Sequence, residues 1–475
     1  MVVGDVTTAV DVLVLGGGPG GYVSAIRAAQ LSRSVELVLA EPPGGTCLNK
    51  GCIPLKALGT AARRYAEARP EALAALGIKM AGPVSLDFAT MQGWKEGVVK
   101  KLSNGVQQLL NGNKIEQLIG RGWFISPNEI RVEAEYGVHR ISFERCVIAV
   151  GAESVSLPEL PFDGKNLLSP EMALALAELP PAISIFGDDY IALELATIFA
   201  RIGVAVTLLL PGETPLPDVE VAAVRLVQAG LRKLGVQMIS GARPLGLAEA
   251  KLVYKNAKGE QLSPLPLVLS VGTKARTVDL ELDAAKIKLD ANGFIPVNAS
   301  QQTARPHIFA AGDCTGQANL ASDAIKQAKV AAENLSGRKA QYAPQARPQV
   351  IYTAPELAIV GYSTEAAIQA GYKVVTGRFQ LGANGRALTL GADMGVVLTV
   401  AEEGSEILLG LTYVGPGAGE LIGEAALALE MGATLTDLSE ILHPHPGLGE
   451  ALGESADAAL NQAIHLLAAP LAARK

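Results

Sequence analysis

The run Gly45-Thr46-Cys47-Leu48-Asn49-Lys50-Gly51-Cys52-Ile53-Pro54 places two cysteines with four residues between them, a spacing at which a local disulfide can form beside a cofactor. A pair of this kind does redox chemistry, cycling between dithiol and disulfide with the thiolate as the attacking form. A Gly-rich run, Gly16-Gly17-Gly18-Pro19-Gly20-Gly21, precedes it by a single βαβ unit, so the fold brings the sulfurs near whatever that run holds. Glycines in this pattern let the backbone turn tightly and approach a pyrophosphate at a helix N-terminus.

The elements that must position these residues are legible on either side. Val10 to Leu15 reads as a strand running into the glycines, Tyr22 to Leu31 has helical periodicity, and Val35 to Ala40 reads as a buried parallel strand. That strand ends at Glu41, where an acid can accept hydrogen bonds from a ribose. The plan repeats at Ala182 to Gly187, Tyr190 to Arg201 and Ala205 to Leu210. Arg145 to Ala152 and Leu267 to Gly272 are strands that end in a Gly turn and close each unit, and Pro306 to Asp313 is a strand ending in Gly-Asp. Pro344 to Pro348 makes a linker, beyond which Gln349 to Lys475 reads as a separate α+β domain. The fold class is therefore α/β, with two Rossmann-like nucleotide-binding domains and a C-terminal α+β domain. The expected divisions are 1–152, 153–275, a central 276–345 and 346–475.

Composition narrows the function classes. A 475-residue chain with 49% hydrophobic and 18% charged residues and 51 glycines has ample core for several α/β domains. Its net charge is −7 and no basic stripe appears, which argues against nucleic acid as a partner. Apolar runs such as Ala173 to Leu179 are too short to span a bilayer, and Met1 to Ala9 lacks the pattern of a secretory signal. A soluble, cytoplasmic protein is the expectation. Four cysteines make no disulfide framework; a zinc site at Cys47 and Cys52 needs two more ligands, so no metal site is expected. Cys146 and Cys314 read as small buried residues.

In chain order, the first Gly run, GGTCLNKGCIP, the strand-Gly returns, IFAAGDC, YTAPELAIVGYS and HPHPGLGE resemble the pattern of the flavin-dependent pyridine nucleotide-disulfide oxidoreductases, the dihydrolipoamide dehydrogenases most of all. The resemblance covers nearly the whole chain. It implies a homodimer with FAD in the first domain, nicotinamide in the second, and a C-terminal interface domain that lends its histidine to the partner's site. On that mapping FAD is surrounded by Gly16, Gly18, Gly21, Glu41, Lys56, Gly122, Gly151, Asp313 and the turn Asn319, Leu320, Ala321 and Ser322, where family members often carry histidine in place of Ser322. NAD(H) falls to Gly187, Glu194 and Gly272. Cys52 is the thiol that shares charge with the flavin and Cys47 exchanges with substrate sulfur. His445 takes and returns the proton, Glu450 orients the imidazole, and Lys56 paired with Glu194 places a cation near the flavin. His443 is read as structural.

The second Gly run departs from the pattern. Gly187-Asp188-Asp189-Tyr190-Ile191-Ala192 has Asp189 in place of the glycine nearest the pyrophosphate, adding bulk and like charge beside a dianion. Ala192 for glycine touches only helix-strand packing. The strand that should end in a ribose-binding acid ends in Leu208-Leu209-Leu210, and no arginine pair follows to signal NADPH; Arg201 lies earlier, on the helix. Weakened or rearranged NAD(H) binding is expected.

Two functions follow. The first is an FAD disulfide oxidoreductase that oxidises dihydrolipoamide with NAD+ or runs in reverse on a small disulfide. The second is an FAD-bearing paralogue without nicotinamide use that serves as a scaffold or binds a lipoyl domain. Mercuric reduction and large thioredoxin reductase chemistry are disfavoured, because no cysteine follows Cys314.

Overall fold

The computed structural model describes residues 6–317 and 320–466. Asn319 lies outside the described residues. The first strand, β1 (Val6–Leu15), is followed by helix α1 (Pro19–Gln30) and strand β2 (Val35–Leu39). Val12 to Leu15 and all of β2 are buried, which is why, Glu36 apart, they read as apolar runs: a parallel strand covered on both faces has no solvent-facing side. The strand begins four residues before the Val10 start expected, because Val6 to Val10 pair with His139 to Phe143 of a long neighbouring strand. The helix begins at Pro19, whose fixed φ suits the first helical turn and whose missing N–H loses no hydrogen bond there.

β1 sits in a mixed sheet, flanked by parallel β2 and Gly137–Ile148; Glu116–Ser126 adds in parallel beyond β2 and Ile308–Ala310 beyond Gly137–Ile148, and Glu129–Ala134 pairs antiparallel with both Glu116–Ser126 and Gly137–Ile148. Residues 276–345 thus contribute a strand to this sheet and a helix, Ala321–Leu335, that packs on α1. Small buried residues, Ala25 and Ala28 on one helix and Ala328, Ala331 and Ala332 on the other, allow the close approach. Arg27 pairs with Glu333 across it, and Arg145 donates to the Leu335 carbonyl at 2.7 Å, a cation at a helix C-terminus.

The second sheet, parallel throughout, orders Gln237–Ile239, Ala205–Leu209, Ala182–Phe186, Leu267–Leu269 and Leu167–Leu168, with the helix Tyr190–Arg201 packed against it. The third is an antiparallel sheet of Gln349–Ile351, Leu357–Gly361, Leu408–Val414, Val396–Glu402 and Val374–Gln380. The helices Ala418–Met431 and Glu450–Ala459 cover it. The chain is α/β with a C-terminal α+β unit, and no described helix is long and apolar enough to cross a membrane.

Gly377 shows how tightly that last helix is set. A Cβ at this position would lie 1.7 Å from the Ser455 carbonyl oxygen, on the helix that begins with Glu450. Ser455 is pinned in turn by a 2.5 Å hydroxyl contact with Thr399. Gly377→Ala is expected to push the helix off the sheet and cost about 1–3 kcal/mol, measured by urea denaturation; an unchanged midpoint would show that the backbone yields freely.

Candidate active site

Two short steps of helix carry the cysteines. Cys47 lies within α2 (Gly45–Asn49), the chain turns at Lys50-Gly51, and Cys52 is the first residue of α3 (Cys52–Glu67). A thiolate at a helix N-terminus is favoured by the partial positive charge of the free amides. Cys47 is half-buried, Cys52 exposed, and both are thiols. The Cys47 thiol hydrogen-bonds Cys52 and, with Lys56 one turn on, outweighs burial to bring Cys52 down to about 7. Cys47 moves the other way, because it supplies that hydrogen bond and is buried. Of the two sulfurs, Cys52 is the one whose ionisation the site favours.

Lys56 donates to Glu194 at 2.5 Å, and its ammonium lies 4.8 Å from the centre of the Tyr352 ring. Glu194 comes from the helix Tyr190–Arg201 and is 1% exposed; its second oxygen accepts the Tyr352 N–H at 3.1 Å. Burial pushes its carboxyl up, against the pull of Lys56. Tyr190, at the start of the same helix, is raised by burial and then by the charge of Cys52. Sequence reasoning missed Tyr190 and Tyr352, although the motif YTAPELAIVGYS contains the latter.

The first Gly run fits a flavin dinucleotide. The N-cap of α1 is Gly18, and no side chain caps its amides. Gly21 must lack a side chain, since a Cβ would meet the Gly16 carbonyl oxygen at 1.7 Å, whereas a Cβ at Gly18 would touch only Gly45 at 3.7 Å. Backbone donors thus face an open approach that a pyrophosphate matches. Glu41 lies just past β2 and pairs with Lys50 at 2.6 Å. Gly122 sits against Leu15, Gly151 closes the first unit at φ +72, and Asp313 opens a turn after Ile308–Ala310, its carboxyl raised by burial. A cavity of about 450 Å³ beside α2 is lined by Thr46, Lys50, Lys95, Glu153, Ser169 and Arg276. Leu320 caps the helix that starts at Ala321, and Ser322 lines a different cavity with Lys326 and Tyr342.

The second Gly run does not present the same surface. Asp189 is the N-cap of Tyr190–Arg201, and its carboxylate accepts the Ala192 N–H at 2.8 Å and the Ser270 hydroxyl at 2.8 and 2.9 Å. Burial raises its carboxyl. Gly187 is retained for packing, because a Cβ there would lie 2.3 Å from the Ser270 carbonyl oxygen. Gly272 has φ +105 and open space. Leu210 is fully buried in the core, so its side chain does not face a ribose at all. Ser270 carries no motif and was not found from sequence.

His445 and Glu450 form a second cluster, Nδ1 to Oε1 at 2.7 Å, with the imidazole 81% exposed. Burial opposes the Glu450 charge, but the Gly447 N–H at 2.8 Å and His445 hold its carboxyl below the usual range. The helix carrying Glu450 packs on the strand Val374–Gln380 and on Leu435–Glu440. His443 is buried against Glu424 at 2.9 Å, as a structural residue would be. Cys146 and Cys314 are buried, and burial drives both thiols up, Cys314 to about 12.

This arrangement of dithiol, buried ion pair and nucleotide cradle has close counterparts. Residues 10–332 match the pyridine nucleotide-disulphide oxidoreductase family, and residues 347–456 match its dimerisation domain. The chain belongs to that family. A dihydrolipoyl dehydrogenase of Thermus scotoductus is 42% identical, over 96% of this chain and 99% of its own length. One from Geobacillus stearothermophilus is 37% identical over 98% of this chain and all of its own. LpdA of Mycobacterium tuberculosis superimposes with a TM-score of 0.86 at 23% identity, covering 94% of this chain and 99% of that one. The flavoprotein disulfide reductase RclA of Escherichia coli does so with 0.84 at 23%, over 94% of this chain and 99% of its own, and both structures share the fold. Membership makes the chain an FAD-dependent disulfide oxidoreductase, and FAD and NAD(H) are the family's cofactors. The dimerisation domain supports a homodimer.

Two tests follow from the electrostatics of the site. In the FAD-loaded protein with Cys47→Ala, the long-wavelength absorption that a Cys52 thiolate gives beside oxidised flavin is expected to appear with a midpoint above pH 7. The largest influence lowering Cys52 is gone, so the thiolate forms only at higher pH; a midpoint at or below 7 would assign the lowering to the helix and Lys56 alone. Lys56→Met leaves Glu194 buried without its cation, which is expected to cost about 3 kcal/mol in guanidinium denaturation, while the Lys56→Met/Glu194→Met double variant recovers most of that loss.

Proposed function

We propose that this enzyme oxidises the dithiol of a dihydrolipoyl group to the cyclic disulfide, through a Cys47–Cys52 redox disulfide. The observation that carries the reading is the pair itself, Cys47 and Cys52 on either side of the turn between α2 and α3, with the Lys56–Glu194 ion pair one helical turn beyond Cys52. Near full-length similarity to dihydrolipoyl dehydrogenases supports the choice of substrate.

In the oxidised enzyme a substrate thiolate attacks Cys47 Sγ; the Cys47–Cys52 bond breaks, and Cys52 leaves as thiolate. The second substrate sulfur then attacks the first, the mixed disulfide breaks, and the cyclic disulfide departs from Cys47. His445 takes the proton of the first substrate thiol and releases it to solvent, then takes that of the second and passes it to Cys47, while Glu450, already hydrogen-bonded to Nδ1, fixes the ring and stabilises the imidazolium. We assign this histidine to the partner subunit's dithiol, as the family resemblance and the dimerisation domain imply; in its own chain it precedes the helix Glu450–Ala459, which packs on the C-terminal sheet. Bound FAD supplies the acceptor for the electron pair of the Cys47–Cys52 dithiol. Gly16, Gly18, Gly21, Glu41, Gly151 and Asp313 would hold it. Lys56 keeps a positive charge near the thiolate without leaving Glu194 unpaired. A lipoyl domain is the proposed carrier of the substrate, in the cytoplasm.

Asp189 favours a second reading, in which the chain keeps the dithiol half of the reaction but uses nicotinamide poorly, and acts as a lipoyl-domain binding paralogue. Steady-state oxidation of dihydrolipoamide, and flavin bleaching by it under anaerobic conditions, test the first. Cys47→Ser is expected to abolish turnover. His445→Gln is expected to lower it by about 10²- to 10⁴-fold. Undiminished turnover in Cys47→Ser would overturn the assignment.

A further inference from the structure

At the second Gly run the chain supplies its own anion. The helix Tyr190–Arg201 offers free amides at its N-terminus, the feature that makes such a turn an anion site. The Asp189 carboxylate takes the Ala192 amide at 2.8 Å from one side. From the other, Ser270 on the strand-end return donates its hydroxyl to both carboxylate oxygens, at 2.9 and 2.8 Å. Ser270 reaches this position because Gly187, with no side chain, lets the two strand ends meet. The contrast with α1 is direct: its N-cap is Gly18, and no side chain takes its amides. Asp188, the residue before Asp189, adds negative charge beside the same helix start.

We propose that Asp189, latched by Ser270, occupies the place of a dinucleotide pyrophosphate, so that NAD(H) binds this protein only by displacing it. The inference rests on the family reading, in which this domain receives the pyridine nucleotide. A pyrophosphate arriving here meets an Ala192 amide already taken and a carboxylate of its own sign, with no acid at Leu210 to recover affinity through the ribose. Asp189 and Ser270 thereby set how well the enzyme discriminates for or against nicotinamide as its electron partner.

The test is calorimetric titration of NAD+ into the FAD-loaded dimer of the wild type, Asp189→Asn and Asp189→Gly. Asn keeps an oxygen that can cap the helix and removes the charge; Gly removes both and frees the amides. Affinity is expected to rise in the order wild type, Asp189→Asn, Asp189→Gly, with Asp189→Gly tighter by at least about tenfold. Equal dissociation constants in all three overturn the proposal. Should Asp189→Gly fail to fold for want of its cap, the comparison of wild type with Asp189→Asn decides: tighter binding by Asn upholds the latch and unchanged binding overturns it. Anaerobic reduction of the wild-type flavin by dihydrolipoamide is measured in parallel. Its failure would count against the dithiol oxidase reading alone, because the affinity order is read without turnover.

Discussion

A single charge pair joins the three parts of this enzyme. Lys56 belongs to the helix that begins at Cys52, Glu194 to the second Rossmann-like unit, and Tyr352 to the C-terminal unit, and all three meet at one carboxylate. Glu194 is almost wholly buried, so its charge is costly unless both oxygens are used. One takes the ammonium and the other a backbone amide. The arrangement fixes Lys56 at the distance of one helical turn from Cys52, and that fixed cation is part of why the thiol ionises near neutrality. Domain packing and thiol reactivity therefore depend on the same contact: the residues that hold the units together also tune the sulfur.

The two nucleotide folds diverge from a common plan at their helix starts. Both follow a parallel strand with a glycine at positive φ, and both bring a return strand close to that glycine. In the first, glycines leave the amides open; in the second, a carboxylate takes the Ala192 amide and is itself held by the Ser270 hydroxyl. An N-cap aspartate contributes about 1 kcal/mol to a helix, so the substitution stabilises the element while it opposes an incoming anion. Local stability and ligand affinity pull in opposite directions at this residue.

How much of this was readable from sequence follows from how local each feature is. Cys47, Cys52 and Lys56 lie within ten residues, and His445 and Glu450 within six, so their types and spacing sufficed. The strand-helix-strand units were legible from pattern, because parallel strands buried on both faces are mostly apolar, Glu36, Ser184 and Thr207 being the polar residues among the buried positions of the first two strands of each unit. Ser270 and the Tyr352 amide were not, since each acts on a residue about 80 or more positions away that only the topology brings near. A backbone N–H has no sequence signature of its own. Asp189 was visible as a departure from the Gly pattern, but that it folds back as a cap, and is not merely an intrusion, needed the geometry. Leu210 likewise read as a lost acid; its burial shows that the strand end has been absorbed into the core.

The helix Tyr190–Arg201 resolves why a nucleotide unit with a closed anion site keeps its form. Its start carries Asp189 at the dinucleotide position and Tyr190, which feels the charge of Cys52; one turn on it carries Glu194, the partner of Lys56. These duties are separable along the helix. The N-terminus can exchange glycine for aspartate without moving Glu194, because the capping bond from Ala192 to Asp189 holds the first turn in place. Losing the unit altogether would strip Lys56 of its counter-charge and the C-terminal unit of its amide contact. The dithiol site thus constrains this helix whether or not a dinucleotide uses it, and the electrostatics of Cys52 give the second domain a role independent of the ligand for which its fold is suited.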